Sequence, residues 1–417
     1  MSTQNQEKNY KWNFTVNLLD GASFWIGSSF ISSTTILPLF ISKLTSSLVP
    51  IGLIGVITAA GWFLPQLFSA RITESRRKMK EIVVGWGLFL ERLPIILMII
   101  SPVIAKSNPS LALIFLIICL TWHTMGAGII ATSWMTLLAK IFSPEKRGSF
   151  LGTTMFVGNG MGILGSVMSA WLLNTLVYPA SFILHFSIAA FFIFLSWIFL
   201  GLTREPVSDQ EVPTQDFQSY FASLIEIFKS DHNFRRFIIS SIIITIGGMG
   251  SGFFTISAIR VLNISDSTVG LYTLSMLIGQ TLGNLVLGWM ADKQGHKRSL
   301  EIGVGAIFLS FLLSSLMPSE ELFFIIFFLF GVNLSSAIVS GMLVVWEFCA
   351  IPKVPTYSGL ANTAKGLVGL VVPVLASQIA RVNYRLLFGI CAGISLVGLI
   401  LLIKWVREPR WENVVYK

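Results

Sequence analysis

The chain has 417 residues, of which 54% are apolar and only 12% charged, with a formal net charge of +9. A charged share about half that of soluble domains leaves too little polar surface to cover a core of this size in water. The composition therefore excludes an ordinary water-soluble enzyme and a disordered chain. It also excludes a nucleic-acid binder, because the basic residues lie in short clusters between long apolar runs, as membrane orientation requires.

The first fifteen residues are polar and carry Glu7, Lys8 and Lys11, so the first apolar run is expected to stay as an anchor rather than to be cleaved. Twelve spanning helices are predicted, near 17–42, 48–70, 82–104, 111–139, 148–174, 180–203, 236–260, 267–291, 299–318, 321–347, 356–380 and 384–406. Each is long enough for a hydrocarbon core of roughly 30 Å. With the N-terminus placed in the cytoplasm, twenty-two Lys and Arg residues fall on that side and five on the outer side. Both termini are therefore expected inside. Cys119, Cys349 and Cys391 sit in apolar runs without a Cys-x-x-Cys neighbour, so no disulfide, no metal site and no cofactor is expected.

The longest hydrophilic gap falls at mid-chain. It divides the spans into an N-terminal half (1–203), a cytoplasmic linker (204–234) and a C-terminal half (235–417). Within the linker Phe217, Tyr220, Phe221, Leu224, Ile225 and Phe228 recur at helical spacing, and Asp216 can cap the start. This predicts an amphipathic helix, lying either on the membrane face or docked on the bundle.

Three landmarks recur in order in the two halves. The sixth and twelfth spans end in Arg204-Glu205-Pro206 and Arg407-Glu408-Pro409. The fourth and tenth are followed by Pro144-Glu145-Lys146-Arg147-Gly148 and Pro352-Lys353-Val354-Pro355. The second and eighth are followed by basic loops, Arg71 to Lys80 and Gly288 to Arg298. Their common order predicts two homologous six-helix halves and an all-α polytopic membrane fold.

These features resemble the major facilitator superfamily of secondary transporters, and in particular a bacterial group with Arg-Glu-Pro ends. Gly288, Asp292, Gly295, Lys297 and Arg298 match that superfamily's Gly-x-x-x-Asp-x-x-Gly-x-basic-basic signature, whereas the loop after the second span keeps only the basic cluster. The resemblance implies a bacterial inner-membrane location and a latch at Asp292–Arg298 that holds one conformation. The alternative for that loop is a charged turn that only fixes topology.

Ionisable groups at membrane depth are costly and mark function by default. Asp20 is either a helix N-cap or a proton or substrate contact. Glu91 and Arg92 are adjacent in the third span, so each is expected to pair across to another helix. His123 is either a proton carrier or a hydrogen-bonding residue of the bundle. Lys365, one turn after Asn362, either holds a substrate carboxylate or phosphate or snorkels to the surface.

The resemblance places spans one, four, seven and ten around a central cavity. They offer Trp122, His123, Trp134, Thr245, Asn333 and Trp346, and Asn159 and Gln280 can join them. Aromatic faces with a few amides and hydroxyls suit a small organic solute better than a hard cation. The expected protein is a monomeric transporter, not an enzyme, with the solute and membrane lipid as partners. No Walker-type element supplies ATP hydrolysis, so an ion gradient or the solute's own gradient is expected to drive it, with protons as the default ion. The competing reading is a non-transporting receptor or sensor on the same scaffold.

Overall fold

The computed structural model describes all residues except 1–2, 75–77, 143, 207–224, 317–318, 350–353 and 411–417. Nearly all of them are helical, with no strand among the described residues. Eleven helices are long and apolar enough to cross a membrane. The second to sixth spans are Val49–Glu74, Glu81–Ile104, Pro109–Ile141, Pro144–Thr175 and Ala180–Gly201. The seventh to twelfth are His232–Leu262, Asp266–Gln294, His296–Ser315, Glu320–Glu347, Val354–Val382 and Tyr384–Lys404.

The first expected span, 17–42, is two helices, Thr3–Ser29 and Ile36–Leu44. The break falls in a Ser/Thr run, where Ser28 and Ser29 donate back to Phe24 O and Ile26 O, and Ser32 and Thr34 bond to each other. Such hydroxyls offer the backbone an alternative to the helical ladder. The helix also begins well before the apolar run, at Thr3. Asp20 is therefore deep inside a helix and does not cap one.

Local chemistry sets the other boundaries. Asn108 caps the fourth span by accepting from Leu111 N, ahead of Pro109 in the first turn. Asp231 caps the seventh through Phe234 N, and Asn383 caps the twelfth through Arg385 N. Gly248, Gly250 and Gly252 soften the seventh span into a 3-10 turn over Gly248–Phe253. In the linker, residues 225–230 are helical. Asp216, Phe217, Tyr220, Phe221 and Leu224 lie outside the described residues.

Contacts group the chain into two units. One comprises Met1–Ser47, Ala60–Thr214 and Ser265–Leu274. The other comprises Leu48–Ala59, Gln215–Ile264 and Ser275–Lys417. In the first, Lys43 Nζ meets Asp266 Oδ1 at 2.8 Å, and Thr35 and Thr273 share a hydroxyl bond of 2.7 Å. Gly270 lies against Ala170, where an added Cβ would be 2.6 Å from its Cα. In the second, a Cβ on Gly52 would lie 2.5 Å from Pro373 O.

Each unit contains the same clasp. Asn13 Nδ2 donates to Arg204 O and Asn13 Oδ1 accepts from Arg204 N, at 2.9 and 2.8 Å. Asn233 does the same with Arg407 O and N, at 3.2 and 2.9 Å. The phenylalanine that follows each asparagine enters an aromatic triad. Phe14 packs on Phe142 and Phe150, and Phe234 on Phe348 and Tyr357. Phe142 and Phe348 close the fourth and tenth spans, and Phe150 and Tyr357 lie early in the fifth and eleventh. An Asn-Phe pair is thus a fourth repeated landmark.

Losing the Asn13 amide leaves two part-buried backbone groups without that partner, at about 1–3 kcal/mol, whereas the groups facing Asn233 are exposed and water replaces it at a smaller cost. Asn13→Ala and Asn233→Ala should each lower the melting temperature of the purified protein. The two share no partner, so the double variant should show the sum of the losses.

Candidate functional site

The buried charges of the first unit converge on the third span. This helix is unusual: Glu81–Trp86 and Leu88–Arg92 are wound as π-helix before Leu93–Met98 returns to α. In the π stretch Glu91 and Arg92 form an ion pair with each other rather than the expected pairs across to other helices, and among the described residues Arg92 alone of the two also interacts across, with Asp20 of the first span. The wider turn brings neighbouring side chains together that an α-helix would splay apart. Glu91 is 8% exposed, Arg92 4% and Asp20 9%. Asp20, from the first span, accepts from Ser196 Oγ of the sixth at 2.6 Å. The Arg92 guanidinium acts electrostatically on both Asp20 and His123.

His123 Nδ1 lies 2.8 Å from the Glu91 carbonyl oxygen. A carbonyl can only accept, so Nδ1 carries a proton and donates it to this bond. Asp20, Glu91, Arg92 and His123, four residues from three helices, thus form one group. His185 lies outside it, bonded to Ser169 Oγ and Ser181 O.

The expected cavity residues divide by what they touch. Asn333 Nδ2 donates to Gly303 O, and its neighbour on the same helix, Ser336, donates to Ser299 O, so both tie the tenth span to the ninth. Thr245 donates within its own helix to Ser241 O. Trp122 and Trp346 are exposed on their helices, and Trp134 packs beside Leu137, Leu138 and Phe142. Asn159 is fully buried with neither amide atom partnered, and Gln280 is 3% exposed. Asn362 and Lys365 are half-buried, and no ion pair to Lys365 occurs among the described residues.

The signature loop is built differently from a simple Asp–basic latch. Lys297 Nζ and Arg298 Nη1 both bond Glu301 of their own helix, each at 2.7 Å. Asp292 is exposed, and it is its backbone oxygen that accepts from Arg410. Gly288 faces open space. Gly295 has φ +93, and an added Cβ would lie 2.5 Å from Glu408 Oε1. Glycine there serves both the left-handed backbone and the close approach of Glu408.

The Arg-Glu-Pro repeats, which the sequence alone leaves without a purpose, explain that approach. Glu205 accepts from Met79 N and Lys80 N, both at 2.8 Å, and from Lys140 Nζ at 3.1 Å. It is a carboxylate capping the start of the third span, where the helix dipole favours negative charge. Glu408 holds the corresponding place beside the ninth span, but its Oε1 has no donor. Burial, and then the nearby Glu347, push the Glu408 carboxyl above the ordinary carboxylate range. Glu347 is itself bonded by Arg410 at 2.7 Å. The side chains of Arg71, Arg76 and Arg77, and of Pro144 to Gly148, lie outside the described residues.

The family model of the Major Facilitator Superfamily matches residues 14–262 and 249–414. Among curated proteins, none matches the chain by sequence. Among solved structures, a mutant of the nucleoside transporter NupG is 13% identical with a TM-score of 0.72, covering 95% of this chain and 100% of its own. The D-xylose-proton symporter is 13% identical with a TM-score of 0.68, covering 95% and 98%. A bacterial homologue of the iron transporter ferroportin, inward-facing, is 12% identical with a TM-score of 0.67, covering 97% and 100%. At these identities the likeness is one of fold.

The two glutamates should respond oppositely to neutralisation. Glu205→Gln loses charge-assisted bonds and should lower the melting temperature at pH 8, by about 1.5–3 kcal/mol of stability. For Glu408 the folded chain holds the proton more tightly than the unfolded chain does. Its ionised form therefore costs stability as pH rises through the carboxylate range. Glu408→Gln should melt at or above the parent at pH 8, and the difference should vanish near pH 4.

Proposed function

The chain belongs to the Major Facilitator Superfamily, and we propose that it is a secondary transporter that carries a small organic solute by alternating access, driven by protons. The observation that carries the proton-coupled reading is the buried carboxylate Asp20, which has one hydroxyl donor and faces the guanidinium of Arg92 across the bundle. A charge at membrane depth is expensive, and a carboxylate that can take up a proton lightens that cost during the cycle. Glu91 and His123 complete the group.

In this reading the two six-helix halves, 1–203 and 235–417, move about a midplane site, with 204–234 as their linker. The sorting of basic residues supports cytoplasmic termini, and a bacterial inner membrane is the location this reading assigns. Lys365 recommends solutes with a carboxylate or phosphate, because a half-buried ammonium favours an anionic partner. Trp122, Trp134, Asn159, Gln280 and Asn362 supply the remaining aromatic and amide contacts. Asp292, with its exposed carboxylate, is the latch candidate. The protein works as a monomer in lipid, and no catalytic step is assigned to it.

The test uses proteoliposomes holding a pH-sensitive dye and a panel of radiolabelled nucleosides, sugars, short peptides and organic acids. An imposed pH gradient should drive accumulation of one class, with matching proton movement. Asp20→Asn should abolish the gradient-driven component and leave solute exchange at equal pH. Flux indifferent to the pH gradient refutes proton coupling, and binding without flux favours a receptor. Lys365→Ala should raise KM at least tenfold for an acidic solute while kcat changes little.

A further inference from the structure

Two backbone carbonyls in the π-wound stretch of the third span accept from side chains of neighbouring helices, and one of them, Val84 O, also accepts from Gly87 N within the helix. In a π-turn the bond skips one residue further than in an α-turn, so the ladder is locally out of step with the α-helix that follows. Two side chains take up the carbonyls. Trp197 Nε1 of the sixth span donates to Val84 O at 2.8 Å. His123 of the fourth span donates to Glu91 O at 2.8 Å. The two bonds fall one in each π segment, on either side of Gly87.

The packing supports the same register. A Cβ on Gly126 would lie 2.0 Å from Leu90 O, so the fourth span rests on the backbone of the π-turn itself. A Cβ on Gly87 would lie 3.6 Å from Arg92 Nη1 and 3.7 Å from Ile130. The guanidinium therefore lies over the bare glycine between the two segments. Arg92 Nε has no partner.

We propose that Trp197 is a positioning residue. Together with His123 it pins the third span in the π register, and that register decides which carboxylate Arg92 serves. The proposal rests on the proton-coupled reading above. With the π-turns in place, Arg92 is paired with Glu91 and within electrostatic reach of Asp20. Return to α would turn successive side chains apart and separate Glu91 from Arg92.

Among the described residues, the ionisable groups facing Arg92 are Asp20 of the first span, Glu91 of its own helix and His123 of the fourth. The sixth contributes Ser196 and the Trp197 indole at this level. When Asp20 is protonated, Arg92 loses one of its two anions and the balance between registers shifts. Trp197 sets where that balance lies without touching a proton or the solute.

The variant is Trp197→Phe, which keeps an aromatic ring and removes the one N–H. Two measurements are made on the full chain in lipid. The first is amide hydrogen exchange over residues 81–92, which needs no transported solute. The second is the pH profile of gradient-driven flux of the solute found in the panel above. The expected result is at least tenfold faster exchange in 81–92 with other spans unchanged, and a pH midpoint moved by about one unit. Solute exchange at equal pH should stay within twofold. Trp197→His, which can donate through a ring nitrogen, should restore part of both.

Parental hydrogen exchange and an unmoved midpoint in Trp197→Phe would overturn the positioning role while leaving proton coupling intact. Accelerated exchange in a protein whose flux ignores the pH gradient would retain the pin and remove the coupling. A uniform acceleration across all spans would mean general destabilisation and would also overturn it. Should Trp197→Phe fail to fold, His123→Asn probes the second pin by the same exchange measurement.

Discussion

The side-chain amide of one asparagine at the start of each repeat organises much of what surrounds it. Asn13 and Asn233 each close both backbone valences of an arginine that ends a six-helix run. A bidentate amide that pairs both groups of one residue is a strong fastener, more so at the part-buried Arg204 than at the exposed Arg407. The clasp fixes the register between first and last helices. The glutamate after each arginine then falls beside the start of the third helix of its set, and the phenylalanine after each asparagine on an aromatic triad. Four features with no obvious mutual relation in the sequence thus become one device, built twice.

The two copies are not finished alike. Glu205 has every oxygen occupied, by two amides and a lysine, and acts as a closed cap. Glu408 stands over Gly295 with an orphaned oxygen and a second carboxylate nearby. The first set buries Glu91 and Arg92 within its third helix, and the second buries Lys297 and Glu301 at the start of its own, next to the intact signature loop. A fully bonded cap thus stands beside the buried charges of the first set, and a carboxylate with one unpartnered oxygen beside the signature loop of the second.

The sequence is most legible where one solvent dictates the answer. Hydropathy finds the spans, and the order of three short motifs finds the repeat. It is less legible where a result depends on helix register. The 17–42 run is one apolar stretch, yet Ser28 to Thr35 carry enough hydroxyls to break it. An α-helix points neighbours such as Glu91 and Arg92 apart, and no residue pattern around them announces a π-turn. The Asn-Phe pair is visible in the letters but too short to stand out, and its meaning lies in contacts some 190 residues away. Asn333 and Ser336 have the right chemistry for a cavity, but their carbonyl partners sit on an adjacent helix that periodicity alone does not identify.

The π-turns of the third span also bear on length. A helix wound wider is shorter for the same number of residues, so the stretch stores slack within a segment that must still match the bilayer. Rewinding it to α would lengthen that end of the helix and push Pro94 and Pro102 along the membrane normal, with no hinge and no loop. Deleting a single residue between Glu81 and Arg92 removes the slack instead. In most transmembrane helices such a deletion scrambles one face. Here it would be absorbed in part, because the helix is wound wide on both sides of Gly87.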